Sequence, residues 1–111
     1  MKVAGIIGGI GPESTIEYYR LIIAAWRERR NDGSYPAVII NSIDLTRVLS
    51  LIGANALADV TAYLVEEVKR LGRAGADFAA LSAVHHGIPL LDTTRIHVNR
   101  IVDELVRNPS V

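Results

Sequence analysis

Three stretches of the sequence carry residue types suited to chemistry. The first is Gly8-Gly9-Ile10-Gly11-Pro12-Glu13-Ser14-Thr15. Its three glycines let the backbone approach a bound group closely. A helix is predicted to start at Gly11-Pro12, because proline suits the first helical position, where an N–H has no intrahelical partner. The free N–H groups of that first turn, with the helix dipole, suit a carboxylate or a phosphate. The same glycines also fit a plain strand-to-helix turn that needs them only for its dihedrals. A dinucleotide site fits poorly. Of the G-x-G-x-x-G fingerprint, Gly9 and Gly11 fill two places, Ser14 takes the third, and Pro12 lies between. The acidic residue expected about 20 residues on is missing, and Asp44 comes much later.

The second stretch is Ser82-Ala83-Val84-His85-His86. Histidine titrates near neutrality and could move a proton. Adjacent histidines rarely face one site, and no carboxylate stands at ligand spacing, which speaks against a metal. A polar loop is the plainer alternative. The third stretch is Asn41 to Arg47. An arginine after a strand could hold a substrate carboxylate through two parallel hydrogen bonds, or simply be solvated. Asp44 is suited to capping the loop or the turn after it. Glu66, Glu67, Lys69 and Arg70 read as a solvated helix face with pairs three and four apart.

These stretches need elements to position them. Apolar runs alternate with periodic segments, the pattern of βαβ units with a parallel sheet. Strands are expected at Lys2 to Gly8, Ala37 to Ile43 and Phe78 to Val84. The first has no polar alternation, as in a strand buried on both faces. The first helix is predicted to bury Ile16, Tyr19, Ile23 and Trp26, and to end at Asn31-Asp32-Gly33. Tyr18 and Tyr19 are adjacent and face different sides, so at least one belongs to the core. Leu45 to Gly53 reads as a long loop or a broken helical turn. A second helix is expected from about Asn55 to Ala74, burying Leu57, Val60, Leu64, Val68 and Leu71, with Gly75 as its stop. A last helix is expected from about Thr93 to Arg107, capped by Asp92 or Thr93 and ended by Asn108-Pro109. Ile88 to Leu91 resembles a fourth strand, but it follows the third too closely for a parallel crossover. An extended loop, an antiparallel pairing or a pairing elsewhere remain for it. The expected fold is therefore α/β and three-layered: a short parallel sheet of three strands, with room for a fourth, and helices on both faces. In such sheets ligands bind outside the carboxyl ends of the strands, where the three stretches meet.

The chain's 111 residues fit one domain, spanning 1–111. Half of them are apolar and 22% are charged, which excludes a disordered chain. Twelve basic residues balance twelve acidic ones, so no net field attracts nucleic acid or an anionic membrane. The apolar run Leu21 to Trp26 is far below the roughly 20 residues of a bilayer span. The start reads as a strand and not as a signal peptide, and a cytoplasmic location is expected. The sequence has no cysteine, which excludes thiol catalysis and thiolate metal sites by this chain alone. No metal or cofactor site is expected. The edges of a three-stranded sheet favour pairing with a partner, so a homo-oligomer is expected.

With these residues in place, the chain resembles the N-terminal half of the aspartate/glutamate racemase family. The matching stretches are GIIGGIGPESTIEYYRLI from Gly5, VIINSIDL from Val38 and EVKRLGRAGADFAALSA from Glu67. The resemblance implies two similar α/β domains, a cofactor-independent enzyme, and a small amino acid or dicarboxylate as substrate. It also implies two thiols flanking the substrate Cα, one removing the proton and the other returning one from the opposite face. Carried onto this sequence, it places Gly9, Ile10, Gly11 and Ser14 along the substrate and Arg47 at a carboxylate. Ala83 falls at the first thiol position, with Val84 and His85 where the family has Asn-Thr, and an alanine cannot abstract a proton. The racemase activity implied by the family is therefore impaired or incomplete in this chain. Ser82 and His85 are the remaining catalytic candidates, Ser82 the weaker because a hydroxyl is a poor base for a Cα–H. The alternative is a domain that binds an amino acid or dicarboxylate without turnover, or a remnant that needs a partner chain.

Overall fold

The structure, a computed structural model, describes residues 2–9, 11–82 and 90–107. Ile10, Ala83 to Pro89 and Asn108-Pro109 lie outside them, and with them the expectations placed on Ile10, His85, His86 and Ile88. The described chain runs β1 (Val3–Gly8), α1 (Pro12–Arg29), β2 (Ala37–Ser42), α2 (Leu45–Gly53), α3 (Leu57–Arg73), β3 (Phe78–Leu81) and α4 (Leu90–Val106). The strands form one parallel sheet in the order β2-β1-β3. Central β1 is buried from Ala4 to Gly8, as its unbroken apolar run requires. Its even residues Ala4 and Ile6 face a core built with Tyr18, Ile22 and Trp26 of α1 and Val98, Ile101, Val102 and Leu105 of α4. Ile7 faces the other way, onto Ile43, Val48 of α2 and Leu71 of α3. Helices thus cover both faces, as the α/β reading expects.

Several boundaries and faces differ from expectation. The buried face of α1 is Thr15, Tyr18, Ile22 and Trp26, while Ile16 is 69% exposed and Tyr19 45%. Both sets share spacings of three and four, so periodicity alone does not choose between them. Contact with the sheet decides, because Thr15 packs against Gly8 and its hydroxyl meets Gly9 N and Ser82 Oγ there. Leu45 to Gly53 is a regular helix and not a loop. Asp44 caps it, its Oδ1 accepting from Thr46 N at 2.9 Å. On α3, Leu57 and Val68 are exposed and Glu67 is buried in their stead. The last strand stops at Leu81. Leu90 and Leu91 open α4, so neither is strand. Asp92 and Thr93 lie inside the helix instead of capping it. Gly75, with φ of 108°, follows α3 as its stop.

The pairing of α1 with α4 rests on Tyr18. Its ring is fully buried and edge-on to His97, and its hydroxyl lies 2.7 Å from His97 Nδ1. Burial raises the Tyr18 pKa above the ordinary 10.0. At alkaline pH the unfolded chain therefore loses this proton before the folded one. The stability from neutral Tyr18 is complete below the unfolded value and is lost as pH rises through the raised folded value. Tyr18→Phe is expected to cost about 1 kcal/mol at neutral pH, the worth of one hydrogen bond. Above pH 10 the gap between parent and variant is expected to narrow. Urea unfolding of both proteins across that range measures it, and a constant gap refutes the assignment.

Among the described residues, no helix is long and apolar enough to cross a membrane.

Candidate functional site

The connections from β1 to β2 and from β2 to β3 run in opposite directions across the sheet. A crevice in an open α/β sheet forms at such a switch point, outside the carboxyl ends of the strands. Here the chain leaving β1 makes the glycine turn. Ile43 N donates to Gly8 O at 2.8 Å and Ser82 N to Ile7 O at 3.0 Å, which draws all three strand ends together. The glycines have local reasons. A Cβ on Gly8 would lie 2.6 Å from Thr15 Cγ2. Gly9 has φ of 90°, and a Cβ there would meet Ile43 O at 2.3 Å. Gly11, with φ of 80°, is the N-cap of α1.

Buried hydroxyls hold this turn. Gly9 N donates to Thr15 Oγ1 at 3.0 Å. Thr15 Oγ1 and Ser82 Oγ are 3.1 Å apart. Ser82 Oγ donates to Ile7 O at 3.2 Å, so Thr15 supplies the proton between the two hydroxyls. Ser82 is fully buried and Thr15 only 8% exposed. The sequence reading placed Thr15 in the first stretch but gave it no role. The signal for it was a hydroxyl one helical turn beyond a Gly-Gly pair.

The anion seat is narrower than three glycines suggest. Pro12 has no N–H, and Ser14 N and Thr15 N both donate to Gly11 O, at 3.0 and 3.3 Å. The Gly9 amide is engaged by Thr15. Among the described residues this leaves the N–H groups of Gly11 and Glu13 without acceptors, and the half-buried Ser14 hydroxyl beside them. Glu13 brings its own exposed carboxylate to the same turn.

Arg47 sits in the first turn of α2, not in a loop. Its guanidinium stacks over the Tyr63 ring, 4.9 Å from the centroid. It lines a groove of about 520 Å³ between α2 and α3 with Leu51, Asp59, Ala62, Tyr63, Glu66 and Glu67. Among the described residues it joins no ion pair, which leaves its donors available to a carboxylate. Glu67 corrects the reading of a wholly solvated charged face. It is buried, and its Oε2 accepts from Asn41 Nδ2 at 2.7 Å, tying α3 to β2. Lys69 and Glu66 do form the expected exposed pair, at 3.5 Å. The structure thus brings Gly9, Gly11, Ser14 and Ser82 to one strand edge, while Arg47 lines a groove on the β2 side.

A profile of the Asp/Glu/Hydantoin racemase family matches residues 7–99. An aspartate racemase homologue from Pyrococcus horikoshii superposes with a TM-score of 0.67 at 33% identity, covering 100% of this chain and 44% of that one. A Yersinia pestis protein, described provisionally as an Asp/Glu racemase, gives a TM-score of 0.72 at 24% identity. That match covers 95% of this chain and 42% of the other, and it bears on the fold alone. The chain therefore spans less than half the length of either structure. The family match begins inside β1 and takes in the glycine turn, both hydroxyls, Arg47 and most of α4, and on that extent the chain belongs to the Asp/Glu/hydantoin racemase family.

Proposed function

We propose that this chain holds a small dicarboxylic amino acid, such as aspartate or glutamate, at the carboxyl edge of its sheet. The observation that carries this reading is a family-matched glycine turn at the switch point whose Gly11 and Glu13 amides have no acceptor among the described residues. One substrate carboxylate faces those amides and the Ser14 hydroxyl, along a wall of Gly9 and Gly11. The second carboxylate reaches toward Arg47, whose stacking on Tyr63 fixes the guanidinium before a ligand arrives. Isothermal titration with L-aspartate and L-glutamate tests the binding. Saturable heat with either supports it, and none with both refutes it.

The family's reaction removes the Cα proton and returns one from the opposite face, which needs a base on each side. The sequence has no cysteine, and Ala83 stands where the first thiol is implied. Racemisation by this chain alone is therefore impaired. His85 is the candidate single-sided base. A lone base that takes the proton, exchanges it with solvent and returns it to the same face produces exchange with retention. In deuterium oxide, L-aspartate is expected to gain Cα deuterium without forming the D-enantiomer, and His85→Ala is expected to abolish the gain. Mass spectrometry with chiral chromatography reads both. Equal exchange by parent and variant removes His85 from the mechanism, and D-aspartate from the parent contradicts one-sided chemistry.

The absence of cysteine also favours a second reading, a binding domain without turnover. Saturable binding with no exchange distinguishes it. Among the described residues β2 and β3 each have a single strand neighbour, which supports pairing with a partner chain, a second copy first. Light scattering tests this, and a clean monomer counts against it. A cytoplasmic location accords with this metabolite-sized ligand.

A further inference from the structure

We propose that Thr15 and Ser82 are positioning residues, a buried hydroxyl lock that sets the amides of the glycine turn and does not itself react. The proposal rests on the dicarboxylate reading of that turn. A reactive hydroxyl must reach its substrate and give up its proton to a base. Ser82 Oγ is sealed from solvent, its proton lies on Ile7 O, and its oxygen receives Thr15. Among the described residues, no histidine or carboxylate stands among its hydrogen-bond partners. What the pair does is geometric. The chain from Gly9 N through Thr15 Oγ1 and Ser82 Oγ to Ile7 O joins the end of β1, the first turns of α1 and the residue after β3. It satisfies the Gly9 amide internally and so fixes the turn on which, among the described residues, the Gly11 and Glu13 amides have no acceptor. It also fixes the residue from which the segment with His85 departs.

The lock has little room for substitutes. Thr15 Cγ2 and Oγ1 would stand 2.6 and 2.9 Å from a Cβ on Gly8, so position 15 packs onto a glycine by contact as well as by hydrogen bond. Thr15→Val keeps the shape and removes the bond. Thr15→Ser keeps the bond and removes a methyl group.

The test titrates L-aspartate into the parent, Thr15→Ser, Thr15→Val, Ser82→Ala and Leu105→Ala at a temperature where all five are folded. Hydrogen exchange of the Gly9 amide is measured on each. Thr15→Val and Ser82→Ala are expected to weaken binding about tenfold, the equivalent of one modest hydrogen bond. Thr15→Ser is expected to bind within about twofold of the parent, because it restores the donor and acceptor. Leu105→Ala, destabilised in the core far from the turn, is expected to bind as the parent does. Gly9 exchange is expected to quicken in Thr15→Val and Ser82→Ala only. Parent-like binding by Thr15→Val overturns the positioning role, as does equal weakening by Leu105→Ala. If the parent itself binds no aspartate, the dicarboxylate reading fails, and Gly9 exchange still decides the lock. Selective quickening upholds it, and unchanged exchange overturns it.

Discussion

Gly9→Ala is expected to lower the unfolding free energy by about 2–5 kcal/mol, a large part of the roughly 5–15 kcal/mol typical of a domain. Two effects combine. A non-glycine residue at a φ of 90° costs about 1–2 kcal/mol from its own sterics. The new Cβ would also fall 2.3 Å from Ile43 O and 2.9 Å from Ile43 N. Both are backbone atoms, and Ile43 N is tied to Gly8 O, so the neighbour cannot swing away. Gly33→Ala separates the two effects. Gly33 has a φ of 79°, but nothing lies within 4 Å of its Cβ position. It is expected to cost only the dihedral part, about 1–2 kcal/mol. Urea unfolding of both variants measures the difference, and equal losses would show that the contact with Ile43 carries no weight. Gly9→Ala is also expected to bind aspartate more weakly, because the turn must move to relieve the contact.

Trp26→Ala is expected to cost about 3–5 kcal/mol, the range for deleting a buried aromatic side chain. Trp26 is 2% exposed in the core shared by β1, α1 and α4. Its Nε1 donates to Ser34 Oγ at 3.1 Å, and the Arg30 guanidinium covers its ring at 5.3 Å. The indole thus closes the far end of the α1 face and holds the chain that returns toward β2. A melting temperature lower by at least about 10 °C is expected, at roughly 4 °C per kcal/mol for a chain of this size. Trp26→Phe keeps most of the packing and loses the Ser34 bond, so it is expected to fall between the two. A melting point for Trp26→Ala within a few degrees of the parent would place the core elsewhere. Because Trp26 lies more than two helical turns from the glycine turn, aspartate binding by the folded fraction is expected to persist.

The alternation of strands and helices was legible because β1 is buried on both faces and shows it as an unbroken run from Val3 to Ile7. The glycine turn was legible for the same kind of reason, since backbone demands leave residue-type marks. Facing was not legible wherever a helix offers two apolar sets. In α1, Ile16-Tyr19-Ile23 and Tyr18-Ile22 compete for the face that Trp26 closes, as expected of it, and Thr15 against Gly8 and Ser82 decides. Leu45 to Gly53 is short and follows its strand closely, so it passed for a loop, although Asp44 and the apolar residues at 45, 48, 49 and 52 mark a capped helix. Glu67 was misplaced because charge alone predicts solvent, and its partner Asn41 lies 26 positions away. The same distance problem hid the hydroxyl lock, whose members are 67 positions apart. The exact reach of the anion seat also depends on bonds that spacing does not show. The Gly9 amide donates to Thr15, and among the described residues the N–H groups without acceptors are those of Gly11 and Glu13.

The most direct measurement is an amide NMR titration of the ¹⁵N-labelled chain with L-aspartate. Saturable shifts centred on Gly11 and Glu13, with a parallel change at the Arg47 side-chain Nε–H, are the expected result. A titration that leaves Gly11 and Glu13 unmoved, or moves them only linearly with added salt, would contradict a dicarboxylate held at the edge of this sheet.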